Sequence, residues 1–445
     1  MTPLTLTDLS FTYQTKPIIS HLSYHLPSGQ LSLLVGPTGC GKSTLLKLMA
    51  GLLVPTSGKM SHPGMVSMMF QQAGEQFTMA TARDELIFAL ENLQVSTSDY
   101  PKRMAKAVAF TQIGPLLDQP INTLSGGQKQ RIALSILIAM DVDVLLLDEP
   151  FASVDPEGRT FLIKKLGQLR DQGKTILLSD HVLSGYETVC DHLFRFSANA
   201  LKEVDTANLP ALFCANQELS QWSFTLTPTS SVFELQDMTL TTGKQLLQPT
   251  QLALYQGAIT LITGPNGSGK TTLFKALTKM LPYGGSLKYQ QQELTKLRSK
   301  TYLTQVAQIF QTSTDQFLRV TVADELALSS NMRNAYFTPE RLNQVIRHLH
   351  FDDKLDQSVY TLSGGQQKQL QLLLMLMTQH QVLLIDEPLT GLDSRAVKQM
   401  VTLMQAVHAA LGQTMLIISH QIAPLAPICQ YHLHFANQQL NYQEH

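Results

Sequence analysis

Residues 31–50 read LSLLVGPTGCGKSTLLKLMA, and residues 259–278 read ITLITGPNGSGKTTLFKALT. Each stretch contains the pattern G-x-x-x-x-G-K-[ST] between an apolar run and a run of helix-forming residues. We therefore predict strands at 31–35 and 259–263 and helices over 44–50 and 272–278. A glycine-rich loop in this context brings backbone N–H groups to the phosphates of a nucleotide, at a helix N-terminus that favours an anion. Two such loops predict two nucleotide sites.

The predicted phosphate contacts include every residue of the two loops. In the first loop they are Gly36, Pro37, Thr38, Gly39, Cys40, Gly41, Lys42, Ser43 and Thr44. In the second loop they are Gly264, Pro265, Asn266, Gly267, Ser268, Gly269, Lys270, Thr271 and Thr272. We expect the two lysines to reach the β- and γ-phosphates, and the hydroxyls of Ser43 and Thr271 to ligate Mg²⁺. Cys40 is interpreted as a small filler rather than a redox group.

The composition is typical of a globular chain that is long enough for two domains. Of the 445 residues 44% are hydrophobic, and 33 Lys and Arg residues balance 34 Asp and Glu residues. This balance argues against a nucleic-acid partner, which needs clustered positive charge. The apolar runs are too short to span a bilayer, and the first residues lack the features of a signal peptide. The four cysteines are scattered, so neither a disulfide framework nor a zinc site is indicated, and a reducing cytosol is expected.

The chain is duplicated. The phosphate loops are 228 residues apart, the two LSGGQ motifs at 124–128 and 362–366 are 238 apart, and His181 and His420 are 239 apart. The growing offset predicts insertions in the second copy between the phosphate loop and LSGGQ. We predict one domain at 1–198, a linker at 199–230 and a second domain at 231–445. Each domain has an α/β pattern with a mostly parallel sheet, and the helical stretches at 84–93 and 324–330 indicate a separate helical part.

An acidic pair ends a buried strand in each half. The sequence VLLLDEP contains Asp148 and Glu149, and VLLIDEP contains Asp386 and Glu387. Such acids often only cap the next helix. With a phosphate loop upstream in both copies, they instead suggest an aspartate that holds the Mg²⁺ shell and a glutamate that polarises the attacking water.

The LSGGQ motif has two interpretations. As structure, its serine caps a helix that begins with two glycines. As function, the hydroxyl, the glycine N–H groups and the helix dipole form a second anion site. One nucleotide needs only one phosphate loop, so a second anion site in each domain implies a nucleotide shared between domains.

The order of motifs resembles a pair of ABC-family ATPase domains. Walker A, a glutamine loop, LSGGQ, Walker B with its glutamate, a D-loop and a switch histidine follow one another twice. The resemblance implies two tandem P-loop NTPase domains, each with a RecA-like α/β core, an antiparallel β part and a helical subdomain, arranged head-to-tail. It implies ATP and Mg²⁺ as ligands and ATP hydrolysis as the activity. Each ATP would lie between one domain's Walker A and the other domain's LSGGQ, so the chain would form its own pseudo-dimer.

The resemblance carries the family's roles to matching positions. The implied first site combines Lys42, Ser43, Gln71, Asp148, Glu149 and His181 with Ser363, Gly364, Gly365 and Gln366. The implied second site combines Lys270, Thr271, Gln311, Asp386, Glu387 and His420 with Ser125, Gly126, Gly127 and Gln128. The catalytic residues would be Glu149, His181, Glu387 and His420, and the Mg²⁺ ligands Ser43, Gln71, Asp148, Thr271, Gln311 and Asp386.

The two halves depart from the family pattern in different ways. Tyr13 matches the aromatic residue that stacks on adenine, whereas the second half has Thr241 and Thr242 there. Arg131 follows the first LSGGQ, and Gln369 stands at the matching position of the second. These differences predict unequal ATP sites, with weaker binding at the second.

The glutamine loops narrow the class of transporter. FQQAGEQF at 70–77 and FQTSTDQF at 310–317 resemble the segment of energy-coupling-factor ATPases that lines the groove for a membrane partner, although those ATPases usually have Asn-Pro after the loop glutamine. The implied protein is peripheral to the cytoplasmic face of the cell membrane, bound to a transmembrane coupling subunit and a substrate-binding membrane subunit. It would drive uptake of a vitamin, a related micronutrient or a metal ion.

Three alternatives stay open: a polar loop that is merely repeated by duplication, a sugar or multidrug transporter ATPase, and a soluble tandem ATPase of translation. The last class usually carries a long basic linker or a cysteine-rich iron–sulfur region, and neither is present in the sequence.

Overall fold

The computed structural model describes residues 4–13, 16–37, 39–61, 64–71, 73–151, 154–197, 200–204, 224 and 230–443. The chain divides into two compact units, Met1–Glu218 and Leu219–His445. Most of the predicted linker lies outside the described residues, so the domain bounds at 198 and 231 stay predictions.

The first unit contains strands and helices whose bounds are as follows. Its strands are β1 (Leu4–Tyr13), β2 (Lys16–Leu26), β3 (Leu31–Val35), β4 (Ser57–Ser61), β5 (Val66–Met69), β6 (Val144–Asp148), β7 (Thr175–Ser179), β8 (His192–Ser197) and β9 (Ala200–Glu203). Its helices are α1 (Lys42–Met49), α2 (Ala82–Asn92), α3 (Tyr100–Thr111), α4 (Gly126–Met140) and α5 (Pro156–Asp171).

The second unit repeats this order with additions. Its strands are β10 (Ser231–Thr242), β11 (Lys244–Tyr255), β12 (Ile259–Thr263), β13 (Gly284–Tyr289), β14 (Gln292–Glu293), β15 (Val306–Ile309), β16 (Val382–Asp386), β17 (Thr414–Ile418), β18 (Tyr431–Ala436) and β19 (Gln439–Tyr442). Its helices are α6 (Lys270–Leu277), α7 (Ser299–Tyr302), α8 (Val322–Ser330), α9 (Pro339–His348), α10 (Gly364–Leu376), α11 (Ser394–Leu411) and α12 (Ile422–Leu425). The predicted insertion corresponds to β14 and α7, which precede the second glutamine loop.

A six-stranded sheet forms the centre of each unit. Its order is β5-β6-β7-β3-β8-β9 in the first unit and β15-β16-β17-β12-β18-β19 in the second. All neighbours are parallel except the last pair, which is antiparallel. Residues of β6, β7, β16 and β17 are buried along their whole length, as expected for parallel strands that are covered on both faces. The predicted α/β class is therefore confirmed.

Side chains that alternate along each central strand enter two different cores. In the first unit Leu33 packs in the cluster that contains α2, α4 and α5. Its neighbour Leu34 points to the opposite face and packs with residues of α1 and of the antiparallel sheet. That smaller sheet has the order β2-β1-β4, and its counterpart has the order β11-β10-β13-β14. The predicted antiparallel and helical parts are thus both present in each unit.

Several helices begin earlier in the structure than the sequence predicts, and two of these differences are explained by helix capping. The predicted helices at 84–93 and 324–330 begin instead at Ala82 and Val322, because Thr81 and Thr321 cap them through their side chains. The helices after the phosphate loops likewise begin at the lysines, two residues before the prediction. In the part of the chain that the structure describes, no helix combines the length and apolar character that a membrane crossing requires.

Candidate functional site

Four of the predicted motifs of each unit lie at one edge of its central sheet. Four adjacent parallel strands, β5, β6, β7 and β3, end at this edge, because the carboxyl ends of parallel strands lie side by side. They are followed by the glutamine loop, the acidic pair, the histidine and the phosphate loop, respectively. The strands β15, β16, β17 and β12 do the same in the second unit. Segments that are far apart in sequence are therefore brought together within each unit.

The backbone of the phosphate loops requires glycine. Gly41 and Gly269 precede α1 and α6 with φ angles of 104° and 113°, which L side chains rarely adopt. A Cβ atom on Gly264 would lie 2.0 Å from the carbonyl oxygen of Phe435. Each helix therefore begins directly at its lysine, and its first N–H groups face the loop. Thr38 lies outside the described residues.

Both phosphate-loop lysines fold over their own loops. Lys42 Nζ donates to the carbonyl oxygens of Gly36 at 2.8 Å and Pro37 at 3.1 Å. Lys270 Nζ donates to those of Gly264 at 2.7 Å and Pro265 at 2.8 Å. The two ammonium groups thus lie against the carbonyls that open each loop, where a bound phosphate would meet them.

Two of the three predicted magnesium ligands in each unit form a hydroxyl–carboxylate pair. Thr271 Oγ1 donates to Asp386 Oδ2 at 2.8 Å, and Ser43 is hydrogen-bonded to Asp148. Burial raises the pKa of both aspartates, against the lowering effect of these hydroxyls. Hydroxyl and carboxylate oxygens are the hard donors that Mg²⁺ prefers, and a divalent cation would relieve the cost of a buried carboxylate. The residues present therefore fit Mg²⁺.

In the first unit two side chains contact the predicted catalytic glutamate, Glu149. Gln71 Nε2 donates to Glu149 Oε2 at 2.7 Å, and His181 Nε2 lies 2.8 Å from Glu149 Oε1. Glu149 has a left-handed backbone with φ of 45°, and its N–H donates to the carbonyl of Ser179 at 3.1 Å. Three predicted residues of the first site are thus in direct contact.

In the second unit the corresponding glutamate, Glu387, is contacted by a backbone N–H group and is more deeply buried. Glu387 Oε2 accepts from the backbone N–H of His420 at 3.3 Å, and its backbone φ is 49°. His420 Nε2 lies 3.5 Å from Glu387 Oε1 but only 3.0 Å from Asn266 Oδ1. Burial and the neighbouring Asp386 raise the pKa of Glu387 to about 7. The side chain of Gln311 is exposed, in contrast to that of Gln71.

Both LSGGQ serines are helix caps. Ser125 Oγ accepts from the N–H of Gln128 at 3.4 Å, and the Ser125 N–H donates to Gln128 Oε1 at 2.9 Å. Ser363 and Gln366 form the same reciprocal pair at 3.4 and 3.0 Å. The structural interpretation of the motif is confirmed. Its glycines, Gly126, Gly127, Gly364 and Gly365, occupy the first turns of α4 and α10.

The residue proposed for adenine stacking lies at the end of β1. The Tyr13 side chain is 45% exposed, and its ring meets the edge of Phe11 with centroids 4.7 Å apart. At the end of β10 in the second unit, the exposed residues Thr241 and Thr242 stand instead. Only the first unit therefore presents an aromatic side chain at this position.

Sequence reasoning missed several polar residues that support these sites. Ser179 Oγ donates to Asp148 Oδ1 at 2.7 Å. The buried carboxylates of Glu85 and Glu325 each accept two backbone N–H groups just beyond the glutamine loop, from Thr78 and Met79 and from Leu318 and Arg319. The shared pattern T-x-x-D-E-L at 81–86 and 321–326 could have indicated these two glutamates.

Known proteins match the chain in sequence and in fold. The ABC transporter family model matches residues 19–152 and 247–390. A Bacillus subtilis protein provisionally named an HMP/thiamine import ATP-binding protein is 29% identical, with 94% of this chain and 87% of that protein covered. A Methanosarcina mazei protein provisionally named an ABC transporter ATP-binding protein is 28% identical, with 94% and 90% covered. In fold, the chain is similar to the archaeal ribosome recycling factor aABCE1, with a TM-score of 0.66, 19% identity, and 98% and 89% covered.

Proposed function

Since this chain belongs to the ABC transporter family, whose members bind ATP with Mg²⁺ and hydrolyse it, we propose that it is the motor subunit of an importer of the energy-coupling-factor type. It would act at the cytoplasmic face of the cell membrane, bound to a transmembrane coupling subunit and a substrate-binding membrane subunit. The cargo would be a vitamin, a related micronutrient or a metal ion. The Bacillus subtilis relative, whose name refers to HMP/thiamine import, supports this class of cargo.

The observation that carries the transport proposal is the segment after each glutamine loop. Gln76 clamps the first loop, because its Oε1 accepts from the N–H of Phe70 at 2.9 Å and its Nε2 donates to the carbonyl of Met68 at 3.0 Å. Gln316 makes the matching bonds to Phe310 and Gln308, both at 3.3 Å. Gln76 and Gln316, the second-last residues of the segments at 70–77 and 310–317, thus fix the backbone of their own glutamine loops.

Apolar side chains just beyond the second loop are exposed. Leu318 is 78% exposed and Val320 is 63% exposed, whereas the neighbouring Phe317 is buried. Large exposed apolar side chains that lie close together favour a partner protein. A short helix of the transmembrane subunit is the partner that we propose for this surface, with Met79 on the corresponding surface of the first unit.

We further propose that each ATP is bound at a phosphate loop and that the LSGGQ turns supply additional donors to its phosphates. Glu149 and Glu387 would orient the attacking water and accept its proton, and His181 and His420 would contact the γ-phosphate. The lysines and the helix N-termini would stabilise charge on the phosphates. Mg²⁺, held by Ser43, Gln71 and Asp148 or by Thr271, Gln311 and Asp386, would neutralise the triphosphate. Binding of two ATP molecules and their hydrolysis would change the conformation of the chain and so move the membrane partner.

Affinity purification of the chain from native membranes tests the partner. We expect recovery of a multispanning membrane protein, in an amount that falls when Leu318→Asp and Val320→Asp are introduced together. An equally exposed apolar site elsewhere, Val54, which is 84% exposed, provides the control substitution Val54→Asp. Recovery of ribosomes without any membrane protein would instead favour an ATPase of translation.

A further inference from the structure

A buried lysine lies beneath the glutamine loop of the second unit. Lys368, in the second turn of α10, is only 3% exposed. Its Nζ donates to the carbonyl oxygen of Gln311 at 2.8 Å, to that of Phe310 at 3.3 Å and to Gln371 Oε1 at 3.1 Å. An ammonium group has three N–H donors, so each has an acceptor here.

A second side chain of the same helix extends this contact. Gln371 Nε2 donates to the Phe310 carbonyl at 2.9 Å and to Gln316 Oε1 at 2.7 Å. Its Oε1 also accepts from Ser313 Oγ at 3.2 Å. One turn of α10 therefore grips the glutamine loop at its start, through Phe310, and at its end, through Gln316. We call Lys368, Gln371 and Ser313 the loop anchor.

The first unit has different residues at all three anchor positions. Gln130, Ala133 and Ala73 correspond to Lys368, Gln371 and Ser313. Gln130 is 2% exposed, and within the described residues its Oε1 has no hydrogen-bond partner. The alanines have no polar group to offer. In the first glutamine loop the side chain of Gln71 donates to Glu149, and Gln76 makes the bonds to Phe70 and Met68 described above.

We infer that Lys368 is a positioning residue of the second ATP site, which fixes the backbone of the glutamine loop to the helix that begins at the LSGGQ turn. Movement of the loop away from α10 would leave a buried ammonium without its acceptors, which is costly, so the anchor favours one loop position. Because the anchor holds the Gln311 backbone, the exposed Gln311 side chain stays free to turn toward a ligand. The inference rests on the proposed assignment of Gln311 to this site and not on the transport proposal.

Acidic residues near Lys368 favour its charged form. Burial lowers the pKa of Lys368 to about 8, and the negative charges of Asp386 and Glu387 oppose that lowering. The ammonium thus lies close enough to the acidic pair to be stabilised by it. The same helix therefore links the glutamine loop and the LSGGQ turn of one unit.

The test isolates the second site by assaying variants of the full chain in a Glu149→Gln background. Lys368→Met keeps the length of the side chain and removes its donors. We expect the kcat of ATP hydrolysis to fall about tenfold and the half-saturating Mg²⁺ concentration to rise, while the KM for ATP changes less than about twofold, because Lys368 holds the glutamine loop and not the phosphate loop. Gln371→Ala should act in the same direction, and the double variant should lose less than the sum of the two single losses.

The matched control is Gln130→Met in a Glu387→Gln background, which should alter the kcat of the first site by less than about twofold. Thermal unfolding shows whether Lys368→Met folds, and if it does not, Lys368→Gln, which installs the amide of the first unit, takes its place. An unchanged kcat and Mg²⁺ dependence in the folded variant would overturn the inference, provided that Gln311→Ala slows the second site. If Gln311→Ala is itself without effect, the assignment of Gln311 is wrong and the inference fails with it.

Discussion

The two units place corresponding motifs at the same edge of the central sheet, but the contacts of their proposed catalytic glutamates differ. Glu149 accepts a hydrogen bond from the side chain of Gln71 at 2.7 Å and lies 2.8 Å from His181 Nε2. Glu387 is buried and bound by the backbone of His420 at 3.3 Å, and the imidazole lies closer to Asn266. Equal motifs therefore do not imply equal sites. The first site is organised around its glutamate, whereas the second is organised around a histidine–asparagine contact and a lysine beneath the loop.

The largest effect is expected when both glutamates are replaced. Glu149→Gln together with Glu387→Gln should lower steady-state ATP hydrolysis by about 100-fold or more, because both proposed general bases are lost. The single variants sharpen the comparison, since each leaves one site to be measured. A double variant that keeps more than about a tenth of the activity would contradict the assignment of the two glutamates.

The adenine contact should distinguish the sites by affinity. In a Glu387→Gln background, Tyr13→Ala should raise the KM for ATP about tenfold, because stacking on a base is worth about 1–3 kcal/mol. Thr241→Ala in a Glu149→Gln background is the matched control and should leave KM unchanged. If Tyr13→Ala leaves the KM for ATP unchanged, stacking on Tyr13 does not distinguish the two sites.

In the helical part of the first unit Arg131 makes a stabilising contact. Its counterpart in the second unit, Gln369, cannot make the same contact. Arg131 donates to the carbonyl oxygen of Thr111 at 2.9 and 2.8 Å and to that of Gln112 at 2.9 Å, at the end of α3. Arg131→Gln should lower the free energy of unfolding by about 1–2 kcal/mol, as this side chain is partly exposed. Thermal unfolding would show a lower midpoint, whereas Lys129→Gln on the adjacent residue should leave it unchanged. A midpoint unaffected by Arg131→Gln would show that water replaces these bonds at no cost.

The smallest effect is expected for the contact between His420 and Asn266. Asn266→Ala in a Glu149→Gln background should lower kcat about threefold, since one hydrogen bond is worth about 0.5–1.5 kcal/mol. The same substitution in a Glu387→Gln background should leave the first site unaltered. If instead kcat of the second site rises, the asparagine restrains the histidine rather than orienting it.

Sequence patterns predicted what depends on local geometry. The strands at 31–35 and 259–263 have the predicted bounds, and the LSGGQ serines cap helices as expected. Patterns did not predict contacts between distant segments, such as the loop anchor at Lys368 or the bond from Ser179 to Asp148. A lysine in an amphipathic helix is normally solvated, and only the tertiary arrangement brings two loop carbonyls to this one. The different contacts of His181 and His420 likewise depend on the tertiary arrangement and not on a local pattern.

Counting the ATP bound by the Glu149→Gln, Glu387→Gln chain tests the central claim, that one chain contains two complete ATP sites. The chain would be incubated with Mg²⁺ and labelled ATP, separated rapidly from free nucleotide, and analysed for nucleotide content. We predict two ATP molecules per chain, recovered as uncleaved triphosphate. Retention of one ATP per chain, or recovery of the label as ADP, would contradict the account.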